Sequence, residues 1–179
     1  MNNKVITYTI SIYSENNIGL LNRISAIFLK RHINIESLTT SQSEIDDIFR
    51  FVIVVSVTET KIKRIIKQIE KQIEVIAAFY HTNKETIFLE TALYKVKSKS
   101  LFEEKHIQKI IKDSKANMVT VSPNYFVIEK TGWREETQKL YNSLEPYGLL
   151  QFVRSGRISV SKEPMNISNI LGINIQNKL

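Results

Sequence analysis

Between residues 5 and 28 the hydrophobic period changes once, and a single glycine marks the change. Val5, Thr7, Thr9 and Ser11 interleave with Ile6, Tyr8, Ile10 and Ile12, an alternation that predicts a strand over residues 4–13. Leu20, Leu21, Ile24, Ile27 and Phe28 then fall at helical spacing and predict a helix over 19–32. Glu15-Asn16-Asn17-Ile18-Gly19 joins the two. A glycine at this junction permits a tight backbone path that a side chain would obstruct. The helix it opens offers unpaired N–H groups and a positive dipole end to an anion such as a metabolite carboxylate. The same segment also reads as an ordinary strand-to-helix turn, and taken alone it leaves both readings open.

The rest of the first half continues the rhythm. Strand two begins at Asn34, a polar acidic turn follows at 43–47, and Phe49–Val57 is a strand rich in β-branched residues. Thr58 or Thr60 caps a second helix whose apolar face is Ile62, Ile65, Ile66, Ile69 and Ile73. Residues 74–80 return as strand four. The second half repeats the order. Thr86–Lys97 alternates, and Phe102, Ile107, Ile110 and Ile111 form a helical stripe. Residues 118–121 and 125–128 are strands around the turn Ser122-Pro123-Asn124. Trp133–Leu144 is helical and is ended by Pro146 and Gly148, and residues 149–153 form the last strand. Arg154–Ser161 follows as a turn and short extension.

The fold class expected is therefore α+β, two ferredoxin-like βαββαβ units joined near residues 81–84. The domains are 1–83, 84–162 and a C-terminal tail, 163–179, in which Ile167, Ile170 and Leu171 suggest a short amphipathic stripe or a disordered end. Each unit would place two helices on one face of a four-stranded sheet and leave the other face uncovered. A unit of this size buries a modest core, so pairing, and hence a homodimer, is expected.

Composition narrows the function classes. With no cysteine, disulfides and thiolate metal sites are excluded. No apolar run reaches transmembrane length and no signal-peptide pattern opens the chain, so a cytoplasmic protein without membrane contact is expected. The net charge of +7 is uneven, +2 over residues 1–83 and +5 over 84–179. Such a surface could attract nucleic acid or an acidic protein. The positives are scattered, however, and many stand beside acids, as in Glu103-Glu104-Lys105, which reads as solvated surface.

A catalytic set is hard to find. His32, His81 and His106 lie in separate elements, which argues against a metal cluster. No nucleophile elbow, Walker loop or GxGxxG is present. The chain reads as a binding or regulatory module. Asn16 and Asn34 flank the first helix, and their amides offer both donors and acceptors, as recognition of a zwitterion requires. Turn capping explains them equally well. Leu20, Leu21 and Ile35 are core candidates that could also face an aliphatic ligand.

Glu-Asn-Asn-Ile-Gly-Leu-Leu-Asn-Arg-Ile at 15–24, with Asn-Ile-Glu-Ser-Leu-Thr at 34–39, resembles the small regulatory subunits of acetohydroxyacid (acetolactate) synthase. Val121-Ser122-Pro123 and Arg154-Ser155-Gly156-Arg157-Ile158 extend the likeness over residues 4–162. The resemblance implies that the first unit is an ACT domain and that the chain has no catalytic activity or cofactor of its own. It implies a partner, the large catalytic subunit, which carries thiamine diphosphate, magnesium and FAD. That partner would be activated and made sensitive to branched-chain amino acids, usually valine. The implied ligand contacts are Asn16, Gly19, Leu20 and Leu21 of one subunit with Asn34 and Ile35 of its neighbour. The chain departs from the family pattern at His32 and Ile33, where Gly-Tyr or Gly-Phe is common, and at Asn22, where Ser is frequent. Those departures bear on how strand two is entered and on effector choice.

Two other readings fit the same pattern. A stand-alone ACT-type sensor of transcription or of another enzyme would share the fold and the pocket. An RRM-like nucleic-acid binder would display Phe49, Phe51 and Tyr80 on an open sheet face, although the RNP pattern is absent.

Overall fold

The computed structural model describes residues 4–103 and 105–172, with side chains at all of these except 102, 103 and 105. The side chain of Phe102 and residues 173–179 of the tail lie outside the described residues. The chain divides into two compact units. One comprises the residues through Phe88 together with those from Arg157 onward, and the other is Leu89–Gly156.

In the first unit the elements run β1 (Val5–Glu15), α1 (Leu20–Leu29), β2 (Ser37–Gln42), β3 (Ile48–Thr58), α2 (Glu59–Ile69) and β4 (Val75–Thr82). The antiparallel sheet has the order β2-β3-β1-β4, as the βαββαβ reading requires. Alternation sends Tyr8, Ile10 and Ile12 of β1 and Phe51, Ile53 and Val55 of β3 to one face. There they meet Leu20, Ile24 and Phe28 of α1 and Ile62, Ile65, Ile66 and Ile69 of α2. Burying each of these isoleucines is worth about 2 kcal/mol. Ile73 does not belong to this stripe, because α2 stops at Ile69 and Ile73 is 98% exposed. Phe51 is buried in this core, and Phe49 and Tyr80 pack against it, so these three do not form an aromatic platform on the opposite face.

Helix α1 is shorter than its apolar spacing predicts. It closes with Ile33 N–H donating to Phe28 O (3.1 Å), and His32 takes the left-handed conformation (φ 52°) that glycine usually fills at such a stop. The chain thus keeps a glycine-type helix ending without the glycine, and β2 begins only at Ser37, three residues later than expected.

The second unit contains most of β5 (Thr86–Lys97), then α3 (Ser98–Glu103), α4 (Lys105–Asp113), β6 (Asn117–Val121), β7 (Tyr125–Gly132), α5 (Arg134–Leu144), a 3-10 turn (Glu145–Tyr147) and β8 (Leu149–Arg154). The strand order β6-β7-β5-β8 repeats that of the first sheet. Tyr94, Val96, Phe126 and Ile128 pack against Ile107, Leu140 and Leu144. Lys115 ends α4 with φ 53°, the counterpart of His32.

The C-terminal segment differs most from expectation. Residues 84–88 and 157–162, assigned above to the second domain, pack with the first. β9 (Ile158–Ser161) pairs with β5, and α6 (Ile167–Ile170) follows. This segment lies on the polar face of the first sheet. Arg157 Nη1 donates to Thr9 Oγ1 and Asn83 Oδ1 (both 2.8 Å), and Arg157 N–H donates to Ser37 Oγ (3.0 Å). Ile167 and Leu171 pack on Tyr13, Ile45 and Ile48. The face expected to lack cover is therefore partly closed by the chain itself.

Candidate functional site

Gly19 stands between β1 and α1 with φ 85° and ψ −5° and forms the N-cap of α1. Only this backbone conformation demands glycine there. A Cβ at the position would meet nothing nearer than Arg23 Nη1 at 3.9 Å, so open space lies beside it. The turn is held by Asn17 N–H to Glu15 O (3.1 Å), Leu20 N–H to Asn17 O (3.3 Å) and Arg23 N–H to Gly19 O (3.2 Å). Glu15 N–H donates to Glu74 O (3.0 Å), and Arg23 pairs with the Glu74 carboxylate, which ties the turn to the α2–β4 loop. The N–H groups of Leu21 and Asn22 have no acceptor among the described residues. The geometry is that of an open helix N-terminus with two donors and a guanidinium beside it, suited to a carboxylate.

The residues singled out from sequence fall into three groups. Asn16, Gly19 and Leu21 are exposed on the turn, and the Asn16 amide has no partner among the described residues. Leu20 is 1% exposed, so it anchors the turn in the core and offers a ligand only its backbone. Asn34 is exposed and Ile35 packs partly against the core, both just ahead of β2. These last two are far from the turn in their own chain. Ser37 lies opposite Val54, which lies opposite Thr9, whereas the turn begins beyond Glu15. Six residues of strand separate the two levels, about 20 Å. Within one protomer the structure does not bring Asn34 to Gly19.

Sequence reasoning missed Arg23, whose aim toward the turn and Glu74 leaves no trace in the helical pattern. It also missed the division of labour within Arg154-Ser155-Gly156-Arg157. Arg154 pairs with Glu90 (2.7 Å) and donates to Gln138 Oε1 (3.1 Å), while Ser155 exchanges hydrogen bonds with Thr91 (2.8 and 2.9 Å), all within the second unit. Arg157 serves the first unit instead, its guanidinium also stacking 3.8 Å from the centre of the Phe88 ring. The motif spells out the place where the chain leaves one unit for the other.

A βαββαβ layer whose first helix opens on a left-handed glycine is the architecture of an ACT-domain protein; the first unit has it, and the second repeats the strand order without that glycine. Residues 10–77 match the family model described as the ACT domain of acetohydroxyacid synthase small subunits, and residues 89–163 match that of the small subunit of acetolactate synthase. An acetolactate synthase small subunit of Mycobacterium bovis is 35% identical over 161 residues, covering 90% of this chain and 95% of that one. The Bacillus subtilis small subunit is 34% identical over 160 residues, covering 89% and 90%. The crystal structure of the Thermotoga maritima small subunit superposes with a TM-score of 0.79 over 90% of this chain and 99% of that one; at 24% identity it speaks for the fold. The chain belongs to the acetolactate synthase small-subunit family.

Proposed function

We propose that this chain is the non-catalytic regulatory subunit of a thiamine-diphosphate-dependent acetolactate synthase. It docks on the large catalytic subunit, raises its activity and makes it responsive to a branched-chain amino acid, valine first. Thiamine diphosphate, magnesium and FAD belong to that partner. The chain acts as a homodimer, in which the Gly19 turn of one protomer faces Asn34 and Ile35 of the other. The effector's carboxylate sits on the Leu21 and Asn22 N–H groups, with Asn16 and Asn34 satisfying the rest of the zwitterion.

The observation that carries this reading is the left-handed Gly19 at an open helix N-terminus with unsatisfied donors. The strand register, which keeps Asn34 and Gly19 of one chain about 20 Å apart, supports a second half supplied by another chain. An effector that favours one arrangement of the complex must bind its two states unequally, a coupling of about 1–3 kcal/mol in typical cases. The test mixes the chain with purified large subunit, scores co-purification, and titrates valine, leucine and isoleucine into an acetolactate assay. Stimulation of the large subunit, reversed by one of the three, is the expected result. A chain that neither binds nor stimulates the large subunit overturns the reading and returns the stand-alone sensor to the fore.

A further inference from the structure

The polar face of the first sheet holds a second cavity, apart from the Gly19 turn. It has a volume of about 170 Å³ and is lined on one side by residues of the 159–167 segment. A space of this size suits a small metabolite. Its base is Arg50 of β3, which lies opposite Tyr13 of β1 in the antiparallel register. The guanidinium stacks 5.7 Å from the Tyr13 ring centre, and Nη2 donates to Ser159 O (2.6 Å) and Ser11 Oγ (3.0 Å). These contacts fix the group but do not neutralise it. Among the described residues Arg50 has no carboxylate within ion-pair reach, and its buried Nε has no acceptor.

A half-buried guanidinium without a counter-charge is costly, and a bound carboxylate relieves the cost. The remaining walls give the ligand further character. Glu44 and Glu163 line the same cavity as exposed carboxylates and form no ion pair among the described residues, so negative charge is available away from Arg50. Phe79 and Ile167 supply apolar wall. An anion site alone does not explain two carboxylates at its rim, and an amine site does not explain a fixed arginine at its base. A cation, two anions and an apolar wall around a space of this size match a free α-amino acid.

We propose that this cavity binds a free α-amino acid within a single protomer, its carboxylate on Arg50 and its ammonium toward Glu44 and Glu163. Because residues 159–167 form one wall, the bound ligand also holds the C-terminal segment on the sheet. The site needs no second chain, which separates it from the seam at Gly19.

The test is calorimetric titration of the full chain with valine, alone and in the Gly19→Asp background that blocks the seam. Wild type is expected to take up more valine per chain than Gly19→Asp, which keeps the intrachain site. In that background Arg50→Met weakens the remaining binding about tenfold to a hundredfold, and Glu44→Gln with Glu163→Gln weakens it about fivefold. Since Arg50→Met also loosens the segment held through Ser159, Gly19→Asp protein with Arg50 intact is probed in parallel with isovalerate and isobutylamine, each of which lacks one charged group. Both bind more weakly than valine if the two ends are read. Absence of valine binding in Gly19→Asp, binding indifferent to the Arg50 and glutamate changes, or isovalerate binding as well as valine overturns the proposal. Undiminished uptake in Gly19→Asp that is lost on adding Arg50→Met would instead sink the seam and keep this cavity.

Discussion

Replacing Gly19 separates backbone strain from charge, because two substitutions share the first and differ in the second. At φ 85° any L-residue is strained, with Asn and Asp the most tolerant, so Gly19→Asn and Gly19→Asp each lose about 1 kcal/mol of stability. In a chain of 179 residues that lowers Tm by about 2–4 °C. Steric exclusion adds nothing, since the space beside Gly19 is open to 3.9 Å. The aspartate, however, sets a carboxylate beside the Leu21 and Asn22 N–H groups and within reach of Arg23, the seat proposed above for the effector's carboxylate. Two carboxylates about 4 Å apart at an effective permittivity near 20 repel by about 4 kcal/mol, and partial exposure halves this to about 2. Valine binding at the seam then weakens at least about thirtyfold in Gly19→Asp and only about fivefold in Gly19→Asn. Calorimetry measures binding, and thermal unfolding checks that the two variants are equally stable. Stimulation of the large subunit persists in both. Equal loss of binding in the two variants would show that the carboxylate seat is misplaced, and wild-type seam binding in Gly19→Asp would show that the turn is not the site.

Other perturbations test the scaffold. His32→Gly relieves the left-handed strain at φ 52° and should raise stability by about 1 kcal/mol, read as a Tm higher by about 2–4 °C. Glu90→Gln breaks its pair with Arg154, leaves that guanidinium half-buried and weakens the Thr137 hydroxyl contact, so stability should fall by about 2–3 kcal/mol in denaturant unfolding. Burial pushes the Tyr94 phenol up to about 12, with Arg154 opposing the shift and Glu90 adding to it, and its O–H donates to Thr137 O (2.7 Å). The folded pKa thus lies above the unfolded value near 10, so the unfolded chain loses its proton first. Tyr94 stabilisation is complete below pH 10 and is lost as pH rises toward 12, and Tyr94→Phe should flatten stability across that interval.

The helix-side half of each unit was legible because hydrophobic period reports burial directly. Ile62, Ile65, Ile66 and Ile69 could face only one way, and the β-branched run of β3 could only be a central strand. Boundaries were less legible. The apolar spacing of α1 continues past its end because Ile33 folds back against the core from outside the helix, and Ile73 carries on the α2 stripe after the backbone has turned away. His32 was read as the loss of a glycine, yet conformation belongs to the backbone, and a residue other than glycine can adopt it at a modest cost.

The polar face of the first sheet shows why the remainder was hidden. Thr7, Thr9 and Ser11 read as solvent-facing by alternation, and on composition they are. Thr9 and Ser11 are nonetheless buried: Arg157 donates to Thr9, and Arg50, which also donates to Ser159 O, donates to Ser11, so the cover is made with polar and not apolar groups. Hydrogen bonds between residues more than a hundred positions apart leave no periodic trace, so a cover of this kind is invisible to any pattern that equates burial with hydrophobicity. The candidate seam had the opposite character. Apart from Arg23 its residues were visible in sequence, but their grouping was not, since Asn34 and Gly19 sit at opposite ends of β1. A single amino acid cannot span the roughly 20 Å between those ends. If both ends touch one effector, the register of the first sheet itself demands a second copy of the chain.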